Sequence, residues 1–168
     1  KRLDGVVDIA FGAKTLTITA ANAADDFEGV IAGTGGLTLT GGTQVLSGAN
    51  TYAGATNVKA GTLAVTSNSG LGAVAGDTTI ASGATLDLQN AAVGAENINL
   101  NGGFLATSVG TSSLAGNVIL GADSEINVSG TQLTIAGQVS GIAYDYVKTG
   151  AGRLVLSGNN TYTGRTTI

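Results

Sequence analysis

The chain has 168 residues, a formal charge of −4, only seven Lys plus Arg, and no Cys, His, Met, Trp or Pro. Disulfides and thiolate sites are excluded. So is a phosphate-tracking surface, because the basic residues are scattered from Lys1 to Arg165 and never clustered. A mean hydropathy of +0.32 argues against disorder, and 28 Gly among many Thr, Asn and Val argue against helices. No run of 18 apolar residues is present to span a membrane as a helix, and no apolar signal-peptide core follows Lys1-Arg2-Leu3-Asp4.

What remains is a chain of short strands. In Lys14-Thr15-Leu16-Thr17-Ile18-Thr19, Leu16 and Ile18 share one face and the threonines the other. The same alternation follows in order at Leu37/Leu39, Leu63/Val65, Leu86/Leu88, Ile98/Leu100, Ile126/Val128, Leu133/Ile135 and Leu154/Leu156. Leu63, Leu86 and Leu154 are expected inside, and Thr17 and Asn99 outside. Gly-Gly, Ser-Gly and Ala-Gly pairs between the bursts supply corners. Hairpin signals are scarce apart from Asn101-Gly102. Strands with two inward residues make a thin sandwich but suit a solenoid. The apolar pairs recur every ~20 to 25 residues, the spacing of a coil holding two or three strands. Coils stacked ~4.8 Å apart would form an all-β parallel β-helix of about seven or eight turns.

The strongest signal is an internal repeat. Gly42 to Thr56 reads GTQVLSGANTYAGAT, Gly152 to Thr166 reads GRLVLSGNNTYTGRT, and ten of fifteen positions are identical at an offset of 110. That offset is about five turns of a 22-residue coil, which would put both copies at one phase of the helix.

These segments resemble the passenger-associated strand repeat of autotransporters, the type V secreted proteins of Gram-negative bacteria. The resemblance rests on Leu46, Ser47, Gly48, Asn50, Thr51, Tyr52, Gly54 and Thr56, and again on Leu156, Ser157, Gly158, Asn160, Thr161, Tyr162, Gly164 and Thr166. The copies extend over about residues 33–65 and 147–168. The first departs in having Leu39 where the second has Lys148, and in being one residue shorter before Gly42. The resemblance implies a right-handed β-helical stalk, secreted to the bacterial surface and anchored through a C-terminal outer-membrane β-barrel that this sequence does not contain. The chain stops at Ile168 in mid-repeat, as a fragment of a larger passenger would. The implied partners are the rest of that passenger, its barrel, and either a second copy or a host surface ligand.

Asn50-Thr51-Tyr52 and Asn160-Thr161-Tyr162 suit ligand contact, but recurrence within one coil favours architecture. On that reading Asn and Gly take left-handed corners while Tyr covers the turn with its hydroxyl in water. Asp25, Asp26 and Glu28 are the densest acidic cluster, without calcium-loop spacing, and read as a solvated loop. Asp123 and Glu125 alternate on one strand face and both read as pointing to water. Polysaccharide-acting β-helix enzymes form the competing class, yet they concentrate acids and bases in a groove. Here 11 acids are dispersed and no His is present. Regular Thr rows for ice binding are interrupted by Asn97, Asn99 and Asp87. The sequence therefore points to a non-enzymatic stalk without catalytic, metal or cofactor-binding residues. The resemblance implies that such a stalk supports adhesion or self-association at the bacterial surface, and C-terminal folding during secretion.

Overall fold

Short alternating segments can bury an apolar row only if many of them line up, and the computed structural model shows how they do. It describes residues 3–168, the side chains of residues 23 and 24 excepted. Among the described residues there is no helix, and every pairing between named strands is parallel. The chain winds as a β-solenoid of about seven turns with three sides.

The first side is a seven-stranded sheet of Leu16–Ile18, Leu37–Leu39, Thr56–Val58, Thr78–Ala81, Ile98–Asn101, Val118–Ala122 and Val139–Ser140. After a corner the chain enters an eight-stranded sheet of Ala21–Phe27, Gly42–Leu46, Thr62–Val65, Thr85–Leu88, Phe104–Thr107, Ser124–Val128, Tyr146–Thr149 and Thr166–Thr167. The third side is less regular. It pairs Ile9–Ala10 with Ile31–Ala32 at one end, and joins Ala92–Val93, Thr111–Leu114, Gln132–Ile135 and Arg153–Leu156 at the other. Between these two ladders, residues 66–77 follow the third side without a strand.

Register fixes the coil length. Leu16, Leu37, Thr56, Thr78, Ile98, Val118 and Val139 stand in one column, and each interval along it is one coil. The shortest coil runs from Leu37 to Thr56 and the longest from Thr56 to Thr78. Corners into the eight-stranded sheet use glycines such as Gly42 and Gly61, at φ +79° and +81°, where a side chain would be strained. Asn101-Gly102 belongs to such a corner and closes no hairpin, since the chain passes from Ile98–Asn101 into Phe104–Thr107 in the neighbouring sheet.

The inward rows are those the alternation marks. Leu37, Leu39, Leu63, Val65, Leu86, Leu88, Ile98, Leu100, Ile126, Val128, Leu133 and Ile135 are all buried in one continuous core. Leu154 and Leu156 differ from expectation. Both are only half-buried, because their strand is paired on one side alone, to Gln132–Ile135.

The inward row of the eight-stranded sheet is polar at its ends. In register it runs Asp25, Gln44, Leu63, Leu86, Leu105, Ile126 and Lys148. Gln44 is fully buried, and its amide nitrogen donates to the carbonyls of Leu3, Asp25 and Val45 at 2.9, 3.0 and 2.9 Å. Asp25 therefore does not belong to a solvated loop. It lies on Ala21–Phe27 at 0% exposure and accepts the Asn22 amide at 2.8 Å. Asp26 is half-buried and accepts from Ser47 at 2.7 Å; of the three acids, Glu28 alone is exposed.

Truncating Leu63 or Leu86 to Ala should cost about 2–5 kcal/mol through lost transfer energy and a residual cavity. Thr17→Ala should stay within about ±0.5 kcal/mol, and Leu154→Ala should fall between the two classes. Urea melts of the four variants check that order.

Candidate functional site

The repeat is the feature most nearly resembling a site, and each copy closes one coil. In the first, Leu37 pairs with Thr56 after a full circuit; in the second, Tyr146 pairs with Thr166. The two copies do not share a phase. The first places Gly42–Leu46 in the eight-stranded sheet and Thr56–Val58 in the seven-stranded one. The second places Arg153–Leu156 on the third side and Thr166–Thr167 in the eight-stranded sheet, one side further round. The coils are on average shorter than a shared phase would need. Val139 is five coils beyond Leu37 in the same column, whereas Val147, which stands at the repeat offset from Leu37, already lies in the next sheet.

Within the first copy, Asn50 is buried and joins three coils. Its Oδ1 accepts the Ile31 amide at 2.9 Å from the coil before, and its Nδ2 donates to the Gly70 carbonyl at 2.8 Å in the coil after. Asn160 repeats the first contact, with Oδ1 accepting the Val139 amide at 2.8 Å. Neither Asn takes a left-handed corner; among described non-glycine residues only Asn90 and Ala143 do. The Asn is used as a substitute backbone, satisfying groups that the turn would otherwise leave unpaired.

Tyr52 also departs from expectation. Its ring is fully buried, and its hydroxyl lies 2.6 Å from Thr56 Oγ1 instead of in water. Burial pushes that phenol well above its ordinary value, with the Thr56 bond opposing and the charge of Glu96 adding. In the second copy Tyr162 is half-buried, its hydroxyl is 3.0 Å from Thr166 Oγ1, and its ring meets Tyr146 edge-on at 5.3 Å. Backbone amides of Thr51 and Thr161 donate to the Ile31 and Val139 carbonyls, each at 2.9 Å. The Ser157 amide likewise donates to the Ile135 carbonyl at 3.0 Å.

The motif glycines are needed for clearance. A Cβ at Gly48 would stand 2.0 Å from the Gly29 carbonyl oxygen, at Gly158 2.1 Å from that of Gly137, and at Gly164 1.7 Å from that of Tyr144. A Cβ at Gly54 would stand 2.5 Å from the Gly35 carbonyl carbon. None of the four has a positive φ.

Asp123 and Glu125 border a groove of about 390 Å³ with Phe104, Asp145 and Val147. Asp123 is exposed and Glu125 half-buried, and Glu125 stands on the outward face of its strand between the buried Ser124 and Ile126. The two acids do not pair with each other. Asp123 Oδ1 accepts the Asp145 amide at 2.8 Å, and Glu125 Oε1 accepts the Thr149 hydroxyl. Asp145 in turn accepts the Arg165 amide at 2.6 Å, with the Arg165 Nε 3.4 Å away. These acids tie one coil to the next. Among the described residues no cluster of three or more acids is arranged to hold a metal.

Sequence reasoning missed Glu96. It is 1% exposed; Oε1 accepts the Thr78 hydroxyl at 2.7 Å and Oε2 has no partner. A signal was present: Gly54, Gly76, Gly116 and Gly137 each stand two residues before a column residue of the seven-stranded sheet, and Glu96 holds that place before Ile98.

Two segments, residues 41–65 and 147–168, match the family model described as passenger-associated-transport-repeat. The chain carries that repeat twice. It is also 36% identical over 136 residues to a protein named adhesin BmaC autotransporter, from Brucella suis biovar 1 (strain 1330). That alignment takes in 79% of this chain and 4% of the relative, so the chain spans a small part of that protein's length. No solved structure matches significantly. The family model and the relative together bear out the resemblance to an autotransporter passenger. Within the matched segments, the side chains of Asn50 and Asn160 join coil to coil.

Asn50→Ala should strip the Ile31 amide and the Gly70 carbonyl of their buried partner and cost about 2–4 kcal/mol. Asn160→Ala, which removes the single contact to Val139, should cost about half as much. Equilibrium unfolding of the two variants checks the difference.

Proposed function

We propose that this chain is a stalk segment of an autotransporter passenger, displayed at the bacterial surface and anchored there through a C-terminal outer-membrane barrel of the whole protein. Its coils support adhesion by the larger protein instead of supplying a catalytic site. The observation that carries this reading is the change of phase. A motif that builds the same coil from two different sides presents its side chains in two directions, and a ligand pocket would not survive that rotation. The motif's polar atoms are also taken up by neighbouring coils. The acids that an enzyme would need bond across coils in the same way. That the Brucella relative is named an adhesin fits this assignment.

Such a stalk also gives folding a direction. Each coil offers a row of free amides and carbonyls to the next, so coils form against a template, and each addition disfavours chain return across the membrane. The same open rows suit self-association between copies.

The test is to place Asn50→Ala with Asn160→Ala in the whole protein and measure surface display and adhesion separately. A stalk role predicts less displayed, protease-resistant passenger with adhesion per displayed molecule unchanged. Normal display with adhesion lost would instead make the repeat a ligand surface.

A further inference from the structure

The corner leading into the seven-stranded sheet is a column of glycines stacked backbone on backbone. A Cβ at Gly76 would lie 2.4 Å from the Gly54 carbonyl oxygen, and one at Gly137 2.0 Å from that of Gly116. Glu96 occupies this column between Gly76 and Gly116, and a Cβ at Gly116 would meet its carbonyl oxygen at 1.8 Å. A glutamate fits there because the preceding coil is irregular. Residues 66–77 carry no strand, and between them and the coil of Glu96 lies a half-open pocket of about 300 Å³ lined by Asn68, Leu71, Val74 and Val93. Glu96 lines this space, and one of its buried carboxyl oxygens is unpartnered.

The segment is tied at its ends. At one, the Thr66 amide donates to the Leu46 carbonyl at 3.2 Å. At the other, the Asp77 carbonyl accepts the Thr56 amide at 3.1 Å and its Oδ1 accepts from Asn97 Nδ2 at 3.2 Å. Leu71 is buried in the core. Between those ends few bonds hold it down. The Ala73 amide donates to the Tyr52 carbonyl at 2.8 Å, Asn68 Oδ1 accepts the Ala92 amide at 2.7 Å, and the Gly70 carbonyl accepts from Asn50 at 2.8 Å. Its remaining backbone bonds include local turns from Gly70 to Ser67, Gly72 to Ser69 and Gly76 to Ala73. Segments tied this sparsely open locally before the whole structure does.

We propose that residues 66–77 form a proton-gated flap, closed over Glu96 while its carboxyl is protonated and opening to admit water when it ionises. A neutral acid is tolerated in an apolar cavity, whereas a carboxylate with one unpaired buried oxygen is not. Among the described residues no cation lines the pocket, whose wall is otherwise uncharged, and the titratable groups acting on Glu96 are Asp77 and Tyr52. The pocket has room for several waters once the flap lifts.

Burial, reinforced by Asp77 and opposed by the Thr78 bond, pushes the Glu96 carboxyl up from 4.5 to about 7. The closed form therefore holds the proton more tightly than the open one. Closure is fullest below the ordinary carboxylate value and is lost as pH rises through about 7.

Hydrogen exchange of the intact chain from pH 5 to 8, with intrinsic rates divided out, tests this. Peptides covering 66–77 should open up to about tenfold more per pH unit on the way to neutrality and level off above it. Peptides covering Val118–Ala122 should not change. In Glu96→Gln the rise in the flap should shrink to under about twofold. Should that variant not fold, a carbon-13 titration of the Glu96 carboxyl in the native chain decides, with a midpoint matching that of flap exchange expected. A midpoint in the ordinary carboxylate range, a flap indifferent to pH, or an equal rise in Glu96→Gln would overturn the proposal.

Discussion

Main-chain hydrogen bonds between stacked coils, about 4.8 Å apart, set the terms for every other feature of this protein. At that spacing the flat sides accept any side chain that alternates in and out, but the corners bring backbone against backbone. Glycine at Gly48, Gly54, Gly158 and Gly164 follows from that approach, because a Cβ at any of them would overlap the main chain of the coil before. Where the backbone leaves a donor or acceptor unpaired at a turn, Asn50 supplies the partner from its side chain and extends the ladder around the corner.

The repeat family is thus recognisable because it encodes corners. Leu46 and Leu156 are ordinary inward residues of their strands, but Asn50, Tyr52 and Thr56 form one unit in which an amide joins coils and a buried phenol–hydroxyl pair fills the turn. Such a unit is portable. It closes one short coil whichever side it begins on, from Leu37 to Thr56 or from Tyr146 to Thr166, which is why the second copy works one side further round. Specific recognition is better served by parts of a protein that keep one orientation, and a stalk by parts that tolerate rotation.

The flat sides were legible in the sequence because period-two alternation is a local property. Leu63, Val65, Leu86 and Leu88 needed only their neighbours to be read as core. Vertical relations were not legible. Asp25 looked like part of a charged loop because Asp26 and Glu28 adjoin it, yet it stacks on Gln44 in an inward row that only register reveals. Phase failed for the same reason. A small error in coil length accumulates over successive coils into a whole side. A Tyr beside Asn and Gly resembles a surface turn with its hydroxyl in water, whereas Phe11 at 6.4 Å and the Thr56 hydroxyl enclose Tyr52. Glu96 was visible only as a break in a glycine column that itself needed the coil length to be seen.

The solenoid stands or falls on the vertical order of its coils. Thr17 and Ser140 occupy the first and last strands of the seven-stranded sheet, on one outward column through Thr38, Asn57, Thr79, Asn99 and Ile119. Spin labels at these two positions measure the rise of six coil steps directly by dipolar spectroscopy. Stacking at ~4.8 Å per step predicts a single narrow distance of about 29 Å, broadened only by the label linkers. A distance under about 20 Å, or a broad distribution, would mean that the strands pair in some other order and would contradict the solenoid.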